Sequence, residues 1–194
     1  MNAHRKTAIR VVLSIGLMFS AGVAAHGVTE QKVPTTEGGV LRQFQARIDE
    51  YMVLHSRLEK ESPPLKTADN PAAIRASQKA LAEKIRAERP KPVQGAIFTP
   101  ETRTVFRRRL KTLLQGPTGV ELRRAMNDDA PSPIPLRVHA EYPPGWPLAS
   151  VPPAILASLP KLPEDLEYRF VGKAMLLLDV HANLIIDFIP DAIR

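Results

Sequence analysis

The stretch LEYRFVGKAMLLLDVHANLIIDF, residues 166–188, decides the fold class of this chain, because it holds three apolar segments separated by two short turns. Gly172 and Lys173 form the first turn, and the letters HAN at 181–183 form the second, where Asn183 can adopt a left-handed backbone conformation. Consecutive strands joined by such short turns pair in antiparallel fashion. The stretch therefore predicts a small antiparallel β-meander.

The alternation of side chains along a strand predicts which residues of this sheet share a face. The predicted apolar face contains the pairs Val180 with Leu184, Leu178 with Ile186 and Leu176 with Phe188, extended by Tyr168 and Phe170. Arg169, Asp179 and Asp187 are predicted to share the opposite face, and an ion pair between the arginine and one or both aspartates is the simplest arrangement.

Before this stretch, apolar residues recur at steps of three and four, which is typical of amphipathic helices. The longest stripe predicts a helix from about Glu37 to Lys60, with His55 on its buried face. Asn70 and Thr99, each followed by proline, are typical caps that begin two more helices, and a short fourth helix follows. Residues 37–128 are therefore predicted to form a helical region.

After the helices, the period of the apolar residues changes to two. Leu136–Tyr142 alternates and predicts a further strand, with His139 pointing outward. Residues 143–163 contain seven of the 19 prolines, which predicts a surface strap with one turn of helix in PPAILASL. We predict an α+β fold in which helices come first and an antiparallel β region at 134–194 comes last, with both parts able to form one domain.

The amino terminus has the pattern of a secretory signal peptide at residues 1–25. A basic start precedes a run of 15 residues, most of them apolar. The alternative is an uncleaved membrane anchor, but the run is shorter than the roughly 20 residues that cross a bilayer. Cleavage after about Ala25 leaves His26 at the start of a flexible arm, residues 26–36. These features predict a periplasmic or secreted protein without a transmembrane span after cleavage.

Cysteine is absent, which excludes disulfide bonds, thiol catalysis and thiolate metal sites. Charge is uneven: residues 75–124 carry 13 Lys and Arg against 4 Glu, and residues 127–194 carry 5 against 9 acidic residues. Within the basic segment, Arg107, Arg108 and Arg109 are candidates for contact with an anionic envelope polymer. The alternative is a solvated helix face that the acidic half complements. Nucleic acid is not an expected partner, because the signal peptide predicts export and RTVFRRRL holds one aromatic residue.

Catalytic motifs such as a nucleophile elbow, a phosphate-binding glycine loop or an H-E-x-x-H pair are absent from the sequence. We therefore predict no catalytic residue and no cofactor. A hydrolase remains an alternative if Asp179, Asp187 and Glu141 converge in a cleft, since paired carboxylates perform acid and base chemistry only in unlike environments.

Two histidines keep a metal hypothesis open. His26 would offer an amine and an imidazole after cleavage, and His181 lies at the tip of the predicted hairpin. The favoured interpretation of His181 is nevertheless a turn residue, and that of His55 is a packed helix residue, because neither shows ligand spacing to another histidine.

Tyr142 and Trp146 lie in the sequence EYPPGWPL, where aromatic rings stand among prolines. Rigid aromatic residues provide contact area at little entropic cost, so this segment is a candidate for binding a peptide or glycan. The alternative is that Trp146 anchors the strap to the sheet.

The segment PPAILASLPKLPEDLEYRFVGKAMLLLDVHANLIIDFIPDAI resembles the carboxy-terminal third of a group of signal-peptide-bearing bacterial proteins of uncharacterised function. GAIFTPETRTVFRRRL is similar to the same group, and this resemblance implies no activity. The strap and hairpin also resemble the terminal hairpin of RcnB-type and CigR-type periplasmic proteins, the former linked to nickel and cobalt homeostasis. That second likeness spans about 45 residues and carries over no ligand residue.

Together, these patterns favour an exported envelope protein that acts by binding a protein or an envelope polymer rather than by catalysis. Periplasmic handling of nickel, cobalt or copper is the first alternative. A hydrolase with a carboxylate site is the second.

Overall fold

The computed structural model describes residues 36–64, 70–127, 136–143 and 151–193, which belong to one compact unit. The elements are α1 (Glu37–Lys60), α2 (Pro71–Glu88), α3 (Pro100–Leu113), α4 (Gly116–Asn127), α5 (Pro153–Ser158), β1 (Leu166–Val171), β2 (Ala174–Asp179) and β3 (Leu184–Ile189). The strands form an antiparallel sheet in the order β1-β2-β3. This arrangement confirms the α+β prediction, including the single turn of helix α5.

Local signals explain where the helices begin. The side chain of Asn70 accepts a hydrogen bond from the backbone N–H of Ala72 at 2.9 Å, and Thr99 accepts one from Thr102 at 3.3 Å. Each bond satisfies a donor that has no partner inside the helix, and the proline that follows each cap has no N–H to satisfy. Both predicted helix starts are confirmed.

The main core lies between the helices and one face of the sheet. Phe44 of α1 contacts Phe106 of α3 with ring centroids 5.1 Å apart, and Phe106 in turn contacts Tyr168 of β1 at 6.2 Å. Both pairs meet edge to face, the geometry that the charge distribution of aromatic rings favours. These rings join the first helix, the third helix and the sheet.

The opposite face of the sheet carries a second, smaller cluster that includes Leu176 and Leu178. Residues 136–143 cover it, with Tyr142 buried at 4% exposure. The sheet is therefore covered on both faces, as its nearly continuous apolar strands require.

The predicted faces of β1 are wrong. Phe170 pairs with Met175 and Tyr168 pairs with Leu177, so both aromatic residues belong to the helix-facing core. The reason is the two-residue turn at Gly172 and Lys173, which places residue 171 opposite residue 174. Residues directly opposite one another share a face.

The predicted register of β3 is half right. Leu176 pairs with Phe188 as expected, but Leu178 pairs with Ile185 instead of Ile186 because the ladder is irregular between Leu177 and Leu178. An extra residue in one strand reverses the alternation beyond it. Leu184 and Ile186 therefore face the helices, whereas Phe188 faces the second cluster. The second turn is as predicted, with Asn183 at φ 50°.

The predicted strand at 136–142 is also wrong. Glu141 forms one isolated bridge with Leu184, and His139 has a left-handed φ of 66°, which interrupts an extended backbone. His139 does not point outward but is buried at 8% exposure. Burial, together with the charges of Arg89 and Arg86, lowers the pKa of His139 to about 4.

The lowered pKa of His139 predicts an acid-sensitive contribution to stability. The unfolded chain takes up a proton near the ordinary pKa of about 6.5, whereas the folded chain resists protonation until about pH 4. The contribution is therefore complete above pH 6.5 and is lost as pH falls toward 4. After an allowance for solvent screening, we expect this loss to be about 2 kcal/mol.

The substitution His139→Asn removes the titrating group, and asparagine tolerates the left-handed backbone. Urea unfolding at pH 7.5 and at 4.5 should show a smaller difference between the two pH values in the variant than in the wild-type protein. Equal differences in both proteins would contradict this assignment.

None of the helices in the described part of the chain combines the length and the apolar character that a bilayer crossing requires.

Candidate functional site

Five ionisable side chains meet where α1 passes the turn between β2 and β3. We name them the carboxylate–histidine cluster, and its members are His55, Glu59, Asp165, Asp179 and His181. Two come from α1, one precedes β1, one ends β2 and one lies in the turn. Packing of the helix on the sheet brings them together.

Asp179 lies at the buried end of the cluster and is fully buried. Its Oδ2 accepts a hydrogen bond from the hydroxyl of Tyr51 at 2.5 Å and lies 2.7 Å from Nδ1 of His55. Its Oδ1 accepts the backbone N–H of Ala182 at 2.8 Å. Burial and the Asp179 charge raise the pKa of the Tyr51 phenol well above its usual value, so the phenol remains a donor. The carboxylate is thereby held against the His55 ring.

His55 is fully buried, yet only one of its two ring nitrogens is bonded. Nδ1 donates to Asp179, whereas Nε2 has no hydrogen-bond partner among the described residues. Nε2 lies 3.7 Å from both Oε2 of Glu59 and Oδ2 of Asp165. Burial acts to lower the pKa of His55, but the hydrogen bond to Asp179 and the surrounding carboxylates outweigh it and raise the pKa.

His181 faces the same two carboxylates from the turn. Its Nδ1 lies 2.7 Å from Oε1 of Glu59 and 3.3 Å from Oδ1 of Asp165, and its ring centroid is 5.9 Å from that of His55. One ligand atom each of His55, Asp165 and His181 lie within 4.8 Å of one another. Two imidazoles with a carboxylate are a set that transition-metal ions accept, and Glu59 provides a further oxygen.

The metal candidate His181 therefore lies in the cluster and is also the turn residue that the sequence indicated. His55, which the sequence favoured as a packed residue, is the member that sequence reasoning missed. The available signal was the spacing of His55 and Glu59, four residues apart on one helix, because such residues share a face. His26 lies outside the described residues.

The predicted ion pair of Arg169 with the two aspartates is wrong. Arg169 pairs with Glu167 of its own strand. Asp179 forms hydrogen bonds with Tyr51 and His55 of α1. The two carboxylate oxygens of Asp187 accept hydrogen bonds from backbone N–H groups of the segment 95–98 at 2.8 Å. Both aspartates are fully buried beneath chain segments that supply these donors.

Asp179, Asp187 and Glu141 belong to three different networks and do not converge. Glu141 lies beside Arg86, with an oxygen 3.1 Å from the guanidinium. The arrangement that would favour a carboxylate hydrolase is therefore not formed by these three residues.

The proposed contact residues have partners within the chain. Arg107 donates to the carbonyl oxygen of Pro190 at 2.7 Å, and Arg108 and Arg109 both form ion pairs with Glu37. Tyr142 is buried, and Trp146 lies outside the described residues. A role of these five residues in binding a partner stays a prediction.

Comparison of the chain with protein-family models, curated proteins and solved structures finds no match. The resemblances stated above therefore stay predictions, and the geometry of the cluster carries the functional argument.

Proposed function

We propose that this protein is a non-enzymatic, exported protein of the bacterial envelope that binds one divalent transition-metal ion at the carboxylate–histidine cluster. The ligands are Nε2 of His55, Nδ1 of His181 and carboxylate oxygens of Asp165 and Glu59. Export rests on the expected signal peptide, and metal binding rests on the cluster.

The observation that carries the proposal is the unbonded Nε2 of the fully buried His55. Leaving a buried polar atom without a partner costs about 1–3 kcal/mol, so a native chain retains one where something else satisfies it. Asp179 holds Nδ1, so Nε2 is the ring nitrogen that faces Asp165 and Glu59. A carboxylate behind a ligand histidine orients the ring and raises its basicity, a recurring arrangement in metal sites.

The partial exposure of the other ligands suits metal entry. The side chains of His181, Asp165 and Glu59 are 22%, 25% and 38% exposed, so they can rotate toward an ion without unpacking the core. Coordination bonds of about 2.0–2.2 Å require donors about 3.5 Å apart. The ligand atoms of His55, Asp165 and His181, which lie within 4.8 Å of one another, need to approach by only about 1 Å.

The ligand chemistry favours zinc, cobalt, nickel or copper over magnesium or calcium. Imidazole nitrogens suit the former ions, whereas magnesium and calcium take oxygen ligands. Zinc is the first probe because its tetrahedral site accepts mixed histidine and carboxylate ligands.

Calorimetric titration of the purified protein with zinc at pH 7.5 tests the proposal. We expect one site per chain. His55→Asn keeps an amide donor near Asp179 but deletes Nε2, and we expect it to weaken zinc binding by at least about 100-fold. His181→Asn and Asp165→Asn should each weaken binding by about 10-fold or more. Both residues are only partly buried, so these variants keep the test available if His55→Asn folds poorly.

Two histidines outside the cluster serve as matched controls. His139→Asn and His26→Ala should bind zinc as the wild-type protein does. Absence of binding of zinc, cobalt and nickel, or unchanged binding in all three ligand variants, would overturn the proposal. Loss of binding only in His26→Ala would assign the metal to the amino terminus instead.

A further inference from the structure

A separate cavity lies between α1 and the segment 89–97 that follows α2. Its volume is about 300 Å³, at the small end of ligand pockets. Arg47 and Tyr51 line it from the helix, and Arg89 and Ile97 line it from the segment. Tyr51 also contacts the carboxylate–histidine cluster, through its hydroxyl.

The guanidinium group of Arg47 has one hydrogen-bonded nitrogen and one nitrogen without a hydrogen bond. Nη1 donates to the carbonyl oxygen of Ala96 at 2.8 Å, which fixes the side chain against the segment. Nε is buried and has no hydrogen-bond partner among the residues that the structure describes. A guanidinium group that is already held in place loses little freedom when it binds an anion.

Arg89 is placed from the other side. Its guanidinium carbon lies 5.5 Å from the centre of the Tyr51 ring, a cation–π contact that holds the group over the aromatic face. Its Nη1 is also buried and unpartnered within the described part of the chain. The positive charge reaches beyond the cavity, since after burial it is the largest contribution that lowers the pKa of His139. Arg89 thus brings a positive charge to the lining of the cavity.

The other groups around the cavity define the ligand. Glu50 lines the cavity and is exposed, so the lining charge of Arg47, Arg89 and Glu50 sums to +1. That sum favours a ligand with one negative charge over a phosphate dianion. Leu54 and Ile97 provide apolar walls beside the guanidinium groups. The lining therefore suits an anionic head on an apolar body.

We propose that this cavity binds a small monocarboxylate whose head contacts Arg47 and Arg89 and whose apolar body contacts Leu54 and Ile97. Guanidinium groups bind carboxylates through parallel, charge-assisted N–H bonds. This site is distinct from the metal site, so either can exist without the other.

Titration of the purified, metal-free protein with hexanoate and benzoate tests the inference. We expect saturable binding of at least one acid and at least about 10-fold weaker binding of the matching neutral amides, hexanamide and benzamide, because charge-assisted bonds are about twice as strong as neutral ones. Inorganic phosphate should bind at least about 10-fold more weakly than the better acid.

Arg47→Gln and Arg89→Gln should each weaken binding of the acid by about 10-fold or more. Arg42→Gln is the matched control, because Arg42 lies on the exposed side of the same helix and should leave binding unchanged. His55→Asn should also retain acid binding, which separates this result from the outcome of the metal experiment.

Leu54→Trp fills the cavity while keeping both arginines and should abolish binding even if an arginine variant folds poorly. Equal affinity for acid and amide, tighter binding of phosphate, or acid binding unchanged in both arginine variants and in Leu54→Trp would overturn the inference.

Discussion

Asp179→Asn should lower the free energy of unfolding by about 3 kcal/mol, because it removes a buried charge whose partners stay buried. The variant keeps an oxygen that can accept the N–H of Ala182. It presents an amide group to Tyr51 and His55, which in the wild-type protein donate hydrogen bonds to a carboxylate. Urea unfolding at pH 7 measures the loss. The same variant should bind zinc about 10-fold to 100-fold more weakly, since His55 loses the group that orients it.

Asp49→Asn is the matched control on α1. Asp49 is exposed and bonds only the side chain of Gln45 among its described contacts, so we expect a change below about 0.5 kcal/mol. A double-mutant cycle of Asp179→Asn with His55→Asn should show coupling of at least about 1 kcal/mol. Additive effects of the two substitutions would contradict the role given to this contact.

Asp187→Asn is expected to cost about 2–4 kcal/mol. Oδ1 of Asp187 accepts the N–H groups of Gly95 and Phe188, and Oδ2 accepts those of Ile97 and Phe98, all at 2.8 Å. Asparagine replaces one of these oxygens by an amide that is itself a donor. Two backbone N–H groups then lose their acceptor in a buried place.

Hydrogen exchange provides a second measurement of the Asp187→Asn effect. The amides of Gly95, Ile97 and Phe98 should exchange at least about 10-fold faster, because the segment loses its acceptor. Asp191→Asn is the control, since Asp191 is exposed and its left-handed φ of 49° suits asparagine. Unchanged exchange in Asp187→Asn would show that the segment is held by packing instead.

Those parts of the fold that depend on neighbouring residues could be predicted from the sequence. Asn70 and Thr99 cap helices through contacts within three residues, and the turns at Gly172 and Asn183 depend on local backbone geometry. The register of β3 could not be predicted. Its sequence LIIDFI is mostly apolar and shows no alternation that would mark the irregularity opposite Leu177 and Leu178. The strand predicted around His139 was wrong for a similar reason, since an alternating pattern does not reveal a residue with a left-handed backbone.

The candidate site was much harder to predict than the fold. His55 and Asp179 are 124 positions apart in the chain, and their contact depends on how α1 lies across the sheet. His181 was identified as a metal candidate only from its residue type and its place in a turn. Its partners became visible once the packing of the helix on the sheet was known.

The buried aspartates of the sheet also bear on the order of folding. The strands of the meander are joined by short turns, whereas the contact of Tyr51 with Asp179 closes 128 residues and that of Gly95 with Asp187 closes 92. Closing a longer loop costs more chain entropy, and contacts distant in sequence slow folding. The meander can therefore form early, while the carboxylates of Asp179 and Asp187 are still hydrated. We expect the late step to be the docking of the helical half, which must exchange that water for the donors of α1 and of segment 95–98.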